Sequence, residues 1–288
     1  MSDAFLAVDW GTTNRRVYRI EQGRVVHTER DGKGVTAVTD FEAEIRGIRA
    51  MVGDLPMLLA GMVGANIGWR LAPYVAAPAG IGDLARHLLR IDDRTAIVPG
   101  VSTLANGRPD VMRGEEVQLL GAAAAGLVPA DALLVQPGTH CKWARLAGGR
   151  IIGFTTAMTG ELFALLRGHS LLAPQLTGAV SANDAFLAGV EEAKRRDLTA
   201  SLFAIRAARM LGTRDDADAA AYASGLLIGS DVVARLAGTP PDTVHILSGP
   251  ELGELYSAAI RANGHAASLI DSHAAFLAGI IAIERQSR

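Results

Sequence analysis

An internal repeat constrains the fold of this chain more than any other feature of the sequence. Residues 4–31 read as three short strands separated by a Gly-Thr bend and a Gln-Gly turn, and residues 132–156 repeat the pattern with a Gly-Gly turn. The segments VDWGT at 8–12 and VQPGT at 135–139 align at the two bends. A repeat that opens both halves predicts an α/β fold with a duplicated β-meander-plus-helix unit, in which two lobes flank an active-site cleft.

The rest of the sequence alternates helical and strand patterns. Asp40 is the expected N-cap of a helix whose apolar residues fall at helical spacing. The expected helices are 40–53, 82–91, 113–126, 181–196, 201–211, 218–238, 254–264 and 272–285, and the expected further strands are 57–61, 95–101 and 244–249. The predicted domains are 1–124 together with 272–288, and 125–271.

Composition excludes several classes of partner. The chain has 288 residues, 49% of them apolar, and a net charge of −2, so we expect no nucleic-acid or anionic-membrane partner. The apolar runs are interrupted, and none is expected to span a membrane. One cysteine, Cys141, excludes an internal disulfide and is expected to pack as a small apolar residue. With no room for a signal peptide before the first strand, the prediction is a soluble cytoplasmic protein.

The two Gly-Thr bends are candidates for binding phosphate. Glycine lets a ligand approach the backbone closely, and successive N–H groups at such a bend form a site for an anion. Asp9, just before the first bend, suits a magnesium ion that bridges phosphates. The alternative for a single bend is a simple Asx-type turn. Two matching bends favour the phosphate interpretation.

Several motifs resemble those of the actin-like sugar kinases. DWGTTNRR at 9–16 resembles their first phosphate motif, PGTH at 137–140 the second, and ILSGPEL at 246–252 the adenosine motif. Longer stretches resemble one family among them, the 2-dehydro-3-deoxygalactonokinases, in the order of that family. They are AGMVGANIGW (60–69), VMRGEEVQLLGA (111–122), PGTHCKW (137–143), MTGEL (158–162), NDAF (183–186) and SGLLIG (224–229).

The resemblance implies ATP-dependent phosphorylation of 2-dehydro-3-deoxy-D-galactonate at its 6-hydroxyl, in galactonate catabolism. It implies two ribonuclease-H-like lobes, ATP and Mg²⁺ as cofactors, and Asp9 as the metal-facing carboxylate. It also implies phosphate-binding and adenosine-binding residues. These are Gly11, Thr12, Thr13, Asn14, Arg16, Gly138, Thr139 and His140 for phosphate, and Ser248, Gly249 and Pro250 for adenosine. Gln136 stands where the superfamily commonly has an aspartate, which puts a metal role for the second bend in doubt.

The candidate catalytic base lies in RGEEVQLLGA. In related sugar kinases a Gly-Asp pair opens a helix before the second phosphate motif, and Glu115 aligns with that aspartate, with Glu116 beside it. A carboxylate near the attacking hydroxyl is the usual proton acceptor. The alternative is that both glutamates only complement the helix dipole.

The sugar acid is expected to contact the glycine-rich loop at 61–70. Gly61, Met62, Asn66 and Trp69 are the candidates there, against the alternative of a buried tight turn. The substrate carboxylate needs a cation, and Arg113 is favoured because arginine binds carboxylates bidentately. Arg70, His140 and Lys142 stay open as further candidates. Arg16 either contacts phosphate or is an exposed strand residue, and Arg15 is expected on the surface.

Two other functions use the same residues. A phosphohydrolase would use Glu115 to activate water, and a nucleotide or sugar-acid sensor would keep the bends without turnover. The sequence leaves open the preference between the galactonate and gluconate epimers. It also leaves open the oligomeric state, for which a homodimer is one option.

Overall fold

The first repeat begins a six-stranded sheet. The computed structural model describes residues 4–105, 107–238 and 242–288, and in it β1 (Ala4–Trp10), β2 (Arg15–Glu21) and β3 (Arg24–Asp31) are neighbouring antiparallel strands. After α1 (Phe41–Val52), β4 (Met57–Gly61) pairs with β1 in parallel. The predicted meander is therefore confirmed.

Local sequence signals explain α1. The Asp40 side chain accepts a hydrogen bond of 2.9 Å from Ala43 N, as expected of an N-cap. Ile45, Ile48 and Val52 are buried, at the spacing of one helical face. This face packs on a core that includes Leu6, Val8 and Trp10 of β1. The helix thus covers the sheet where β1 ends.

The region between α1 and the second repeat differs from the prediction. Its elements are β5 (Tyr74–Ala76), α2 (Ile81–Arg86), β6 (Leu89–Asp92), β7 (Thr95–Ile97), β8 (Gly100–Ala105), β9 (Arg108–Met112) and α3 (Glu115–Ala124). The predicted helix 82–91 is wrong in its second half. β6 pairs antiparallel with β7, and its residues alternate between half-buried and exposed, which is a strand pattern.

The predicted strand at 95–101 is also wrong, because it is two strands in two sheets. β7 pairs with β4 in parallel, whereas β8 joins β5 and β9 in a separate three-stranded sheet. The six-stranded sheet has the order β3-β2-β1-β4-β7-β6. The third sheet depends on pairing between distant segments, which short apolar runs do not reveal.

The second repeat begins a five-stranded sheet of the same topology. The elements are β10 (Ala132–Gln136), β11 (Cys141–Ala147), β12 (Arg150–Ala157), α4 (Thr159–His169), α5 (Asp184–Glu192), α6 (Leu198–Leu211), α7 (Ala219–Leu236), β13 (Thr243–Leu247), α8 (Pro250–Ala262), β14 (Ala266–Ile270) and α9 (Ser272–Ser287). The strand order is β12-β11-β10-β13-β14, with β13 parallel to both β10 and β14. β14 was not predicted. The shared topology confirms the duplicated, ribonuclease-H-like α/β architecture.

The chain divides into two units. The first contains Met1–Asp131, Leu146–Phe154 and His273–Arg288, and the second contains Ala132–Arg145 and Thr155–Ser272. Each unit has its own apolar core, built around β1 and β4 in the first and around β10, α5, α7 and α8 in the second. The predicted ranges of the two lobes, 1–124 with 272–288 and 125–271, stay a prediction.

Helix α7 is the most apolar helix of the second unit. The segment Asp216–Leu236 is long and apolar enough to cross a membrane by length and composition, contrary to the expectation that no segment would be. Within it, 83% of the apolar window is buried inside the protein. A core helix of a soluble protein has these same properties, and α7 packs in this way against α5 and α8.

Helices α3 and α9 of the first unit approach each other at backbone distance. A Cβ atom at Gly121 would lie 2.0 Å from Ala275 O, and one at Gly279 would lie 2.0 Å from Val117 O. Real contacts of carbon with oxygen are much longer, so only glycine fits at the two positions. The crossing attaches the last helix to the helix that begins at Glu115.

We expect Gly279→Ala to lower the free energy of unfolding by about 3 kcal/mol or more, because the added methyl must push two helix backbones apart. Urea denaturation of wild type and variant measures this change. Gly47→Ala is the matched control. Gly47 is exposed in α1 with open space around it, so this change should stabilise the protein by about 0.5–1 kcal/mol. Equal stability of Gly279→Ala and wild type would contradict the described crossing.

Candidate active site

The first bend has its carbonyl groups covered by a neighbouring segment. Val35 N donates to Gly11 O at 3.0 Å, Thr36 N to Thr12 O at 3.3 Å, and Gly34 N to Thr13 O at 3.2 Å. The N–H groups of Thr12 and Thr13 donate to no acceptor among the described residues. The bend therefore offers donors without competing acceptors, as an anion site requires.

Gly34 is required for this arrangement. A Cβ atom there would lie 2.2 Å from Thr12 O, so a larger residue would lift the 34–36 segment off the bend. The preceding residue is also held, since Trp10 Nε1 donates to Lys33 O at 2.8 Å. Trp10, at the end of β1, and Gly34 thus hold the 33–36 segment against the bend.

Arg15 is buried, and the expectation that it lies on the surface is wrong. Its guanidinium is 4.9 Å from the centre of the Trp10 ring and donates to Asp31 at 2.6 Å and to Glu44 at 2.8 Å. Its side chain is 3% exposed. The two carboxylates compensate the buried charge, and they join β2 to β3 and α1 beneath the bend.

Asp9 lies at the end of β1 with its carboxylate partly accessible. Arg16 Nη1 is 3.7 Å from Asp9 Oδ2 and 3.3 Å from His273 Nδ1, and the Tyr18 hydroxyl is also 3.3 Å from that nitrogen. His273, which the sequence gave no reason to select, therefore contacts Arg16. Burial raises the pKa of Asp9, Arg16 opposes this, and the charge of Glu115 adds to it.

The residues around Asp9 fit a magnesium ion that is held largely by phosphate. The described residues contain no group of three or more His, Cys, Asp or Glu side chains able to hold a metal. Magnesium commonly takes one or two carboxylates, with waters and substrate phosphates as its other ligands. A single carboxylate beside a bend of free N–H donors matches that pattern.

Two glycines bring the start of α3 next to the end of β1. A Cβ atom at Gly61 would lie 2.8 Å from Trp10 O, and one at Gly114 would lie 3.1 Å from Gly61 Cα. Their φ values, 94° and 105°, lie in the region that favours glycine. Asp9 and Glu115 consequently lie near enough for the charge of Glu115 to act on Asp9.

Glu115 and Glu116 have different surroundings. Glu115 is half-buried and its Oε2 accepts from Arg113 N at 3.0 Å. Glu116 is fully buried, and its two oxygens accept from Gly114 N at 2.9 and 2.7 Å. Burial, and then the charge of Glu115, raise the pKa of Glu116 to about 8. Of the two, Glu115 is the accessible carboxyl.

The glycine-rich loop has both a packed part and an exposed part. Trp69 is half-buried and stacks on Phe41 at 6.3 Å between ring centres, while Met62 is half-buried. Asn66 is exposed at the tip. Trp69 is therefore packed as the tight-turn alternative expects, whereas Asn66 and Arg70 present polar side chains open to a ligand.

Arg113 is a buried cation with unused donors. It is 8% exposed, its Nη2 donates to Ala72 O at 2.7 Å, and its guanidinium lies 4.3 Å from the centre of the Tyr74 ring. Its Nε and Nη1 atoms are buried and have no hydrogen-bond partner among the described residues. A Cβ atom at Gly64 would lie 2.9 Å from Nη1, so the guanidinium lies against the glycine-rich loop.

The second bend is held by the first turn of α4. Glu161 N donates to Thr139 O at 3.0 Å, and the His140 Nε2 atom lies 2.6 Å from Glu161 Oε2. A Cβ atom at Gly160 would lie 2.4 Å from Gly138 O. As at the first bend, a bend carbonyl accepts a hydrogen bond from a neighbouring backbone segment.

A cavity of about 230 Å³ opens beside this bend within the second unit. Its lining comes from the bend, α4, α7 and α8: Gly138, Thr139, Thr159, Gly160, Phe163, Ser224, Leu227, Ile228, Leu252 and Tyr256. The predicted adenosine-binding residues lie at the start of α8, which forms one wall of the cavity. Gly249 is the N-cap of α8, Pro250 is its first residue, and Ser248 is half-buried just before them.

Among the residues that line the cavity, Gly138 and Thr139 were predicted as phosphate-binding residues. The missed residues lie in three stretches already noted for their resemblance, at 158–162, 224–229 and 246–252, or one turn beyond them. The resemblance of those stretches could have drawn attention to these residues. That α4, α7 and α8 come together around one cavity is a tertiary contact, which the sequence does not show.

Comparison with known proteins gives matches along nearly the whole chain. The family described as 2-keto-3-deoxy-galactonokinase matches residues 9–283. A presumed 2-dehydro-3-deoxygalactonokinase of Rhizobium meliloti (strain 1021) is 38% identical over 300 residues, covering 98% of this chain and 96% of its own. The 2-dehydro-3-deoxygalactonokinase of Escherichia coli (strain K12) is 34% identical over 290 residues, with 98% of each chain covered. A crystal structure of a presumed 2-dehydro-3-deoxygalactonokinase from Sinorhizobium meliloti has a TM-score of 0.91 at 37% identity, with 98% of each chain covered.

We expect Glu116→Gln to remove a pH dependence of stability. The carboxyl has a pKa of about 8 in the folded protein against an ordinary value of 4.5, so protonation favours the folded state. This stabilisation is complete below pH 4.5 and is lost as the pH rises through 8. Between pH 6 and pH 8 the wild type should lose about 2 kcal/mol more than the variant, as measured by urea denaturation.

Glu42→Gln is the control for this measurement. Glu42 is an exposed acid in the first turn of α1, so its replacement should leave the pH dependence as in wild type. If Glu116→Gln followed the wild-type pH profile, the protonated state of buried Glu116 would be refuted.

Proposed function

The chain belongs to the 2-keto-3-deoxy-galactonokinase family, and we propose that it transfers the γ-phosphoryl group of ATP to the 6-hydroxyl of 2-dehydro-3-deoxy-D-galactonate. The product is 2-dehydro-3-deoxy-6-phospho-D-galactonate, an intermediate of galactonate catabolism. The observation that carries the proposal is the family match over residues 9–283, a range that includes both bends, Glu115 and the adenosine turn.

The first bend binds phosphate in this proposal. The N–H groups of Thr12 and Thr13 donate to phosphate oxygens, helped by the side chains of Thr13 and Asn14 and by Arg16. This role is supported by the hydrogen bonds that residues 34–36 donate to the carbonyl groups of the bend, because these bonds leave the bend with free donors only. Asp9 would hold Mg²⁺, which neutralises charge on the phosphates when bound.

Glu115 accepts the proton of the attacking 6-hydroxyl. A carboxylate in this role must be reachable and largely ionised at neutral pH. Glu115 is half-buried, whereas Glu116 is fully buried with a pKa raised to about 8, and both Glu116 oxygens already accept from Gly114 N. Glu116 instead fixes the backbone where α3 begins.

Arg113 and the glycine-rich loop bind the sugar acid. Arg113 has two unused donors, Nε and Nη1, and either of them can donate to a substrate carboxylate. Asn66 is exposed near the same loop and suits the hydroxyl groups of a polyhydroxy acid. Gly61 and Met62 line the start of the loop, and Trp69 packs it against Phe41.

The second bend binds phosphate with Gly138, Thr139 and His140, and the turn Ser248-Gly249-Pro250 contacts adenosine. His140 is held by Glu161, and the turn leads into the helix that lines the cavity beside the bend. Both features support a nucleotide in the second unit. A cytoplasmic location fits the single, buried and free Cys141.

We expect Glu115→Gln to lower kcat by about 100-fold or more, because the amide cannot take the hydroxyl proton. A coupled assay of ADP release with Mg²⁺ and ATP measures this. The acceptors are 2-dehydro-3-deoxygalactonate, its gluconate epimer and no sugar. Wild-type turnover should depend on the galactonate compound.

Glu116→Gln is the matched variant, one residue away and unable to reach the substrate, and it should keep most of the turnover. Equal ADP release without sugar would instead indicate a phosphohydrolase. ATP binding without turnover on any acceptor would indicate a sensor. A Glu115→Gln enzyme as active as wild type would exclude Glu115 as the base.

We expect Asp9→Asn to raise the free Mg²⁺ concentration needed for half-maximal rate by about 10-fold or more, since the carboxylate charge is lost. The rate is measured against free Mg²⁺ at saturating ATP and sugar acid. Asp93→Asn, at an exposed position of the same unit, is the control and should not change this concentration. An unchanged Mg²⁺ requirement in Asp9→Asn would exclude the metal role.

A further inference from the structure

Arg16 faces Asp9 across two paired strands, yet the two side chains do not form a close ion pair. In the antiparallel register of β1 and β2, Asp9 lies directly opposite Arg16. Opposite charges at such positions attract each other, and an arginine that donates to a carboxylate ordinarily comes within about 2.7–2.9 Å of it. Here Arg16 Nη1 is 3.7 Å from Asp9 Oδ2. The close ion pair that the register allows is therefore not made.

The first turn of α9 supplies a competing contact for Arg16. Arg16 Nη1 and the Tyr18 hydroxyl each lie 3.3 Å from His273 Nδ1. An arginine side chain has only donors, so Nδ1 is the acceptor in its contact with Arg16, and the proton of the neutral ring is on Nε2. Arg16 Nη1 is thus closer to the imidazole of His273 than to the carboxylate of Asp9.

The position of His273 is fixed by its neighbours, although its own side chain is exposed. Phe276, one turn later in α9, is buried and packs against the Tyr18 ring at 5.9 Å between ring centres. Tyr18 is also buried, and burial raises the pKa of its hydroxyl, which stays protonated at neutral pH. An imidazole and a hydroxyl, both uncharged, therefore lie in fixed positions beside Arg16.

A second arginine makes this restraint necessary. Arg30 of β3 lies directly opposite Arg16 on the other side of β2. Like charges at opposite positions of neighbouring strands repel each other, so Arg30 favours movement of the Arg16 guanidinium toward β1 and Asp9. The contact with His273 opposes this movement.

We infer that His273 is a positioning residue that holds Arg16 beside Asp9 without letting the two charges pair. The inference rests on the proposed function, because it takes Asp9 as the ligand of Mg²⁺ and Arg16 as a phosphate-binding residue. An Arg16 side chain paired with Asp9 would compete with the metal for the carboxylate and would have fewer donors left for phosphate. His273 keeps both residues available.

Calorimetric titration with a non-hydrolysable ATP analogue, in Mg²⁺ and again in EDTA, tests the inference without turnover. We call the ratio of the dissociation constants in EDTA and in Mg²⁺ the metal gain, which should exceed one for wild type. His273→Ala should lower the metal gain about 10-fold, because Arg16 then pairs with Asp9. His273→Asn should keep most of the gain, since the asparagine Oδ1 atom can replace Nδ1 as the acceptor.

A double-variant comparison separates positioning from a general structural role. In an Arg16→Gln background, His273→Ala should leave the metal gain unchanged, because no cation remains there to pair with Asp9. His87→Ala, at another exposed histidine of the first unit, is the control and should bind the analogue as wild type does. A metal gain in His273→Ala equal to wild type would overturn the inference. A loss of equal size with and without Arg16 would also overturn it.

The kinase assay separates this inference from the proposed function. His273→Ala should need about 10-fold more free Mg²⁺ for half-maximal rate on the sugar acid and should approach the wild-type kcat at saturating Mg²⁺. If wild type showed the metal gain but phosphorylated no sugar acid, the proposed function would fail and the positioning of Arg16 would stand. If Mg²⁺ did not strengthen binding of the analogue to wild type, the inference would be overturned whatever the enzyme phosphorylates.

Discussion

Satisfaction of backbone carbonyl groups at the two Gly-Thr bends is the constraint on which the candidate site depends. An exposed bend ordinarily presents donors and acceptors together, and the acceptors repel an anion. At the first bend, residues 34–36 donate to three successive carbonyls, and at the second bend Glu161 N donates to Thr139 O. Both contacts need a glycine, Gly34 or Gly160, to let the backbones approach. The chemistry of each bend is thus set by a segment outside its motif.

The repeat, the strand bends and the N-cap of α1 could be predicted from the sequence, since these features depend on neighbouring residues. The sequence contained less about features that depend on distant pairing. Arg15 read as a surface residue because its partners, Asp31 and Glu44, lie in other elements. Residues 89–91 read as the end of a helix because strand β6 depends on its pairing with β7, which the local sequence does not show. Among candidate site residues, motif resemblance selected the bends and Glu115, while the cavity lined by α4, α7 and α8 emerged only from the structure.

Glu115 and Glu116 show how helix geometry separates two identical side chains. Consecutive residues on an α-helix differ by about a quarter turn in direction. One glutamate therefore enters the core and accepts from Gly114 N, and the other stays accessible near Asp9. The close approach of Gly114 to Gly61 fixes where α3 begins. It therefore determines that Glu116 is the buried glutamate and Glu115 the accessible one. In the proposed function, the sequence EE at this position encodes one proton acceptor and one structural acid.

The crossing of α3 and α9 bears on the order in which the chain acquires its structure during synthesis. The first unit is discontinuous: α9 begins where the second unit ends in sequence, yet it packs against α3 through Gly121 and Gly279. A ribosome therefore releases the complete second unit before it releases the helix that the first unit lacks. The face of α3 that packs against α9 therefore lacks its native partner until translation is almost finished.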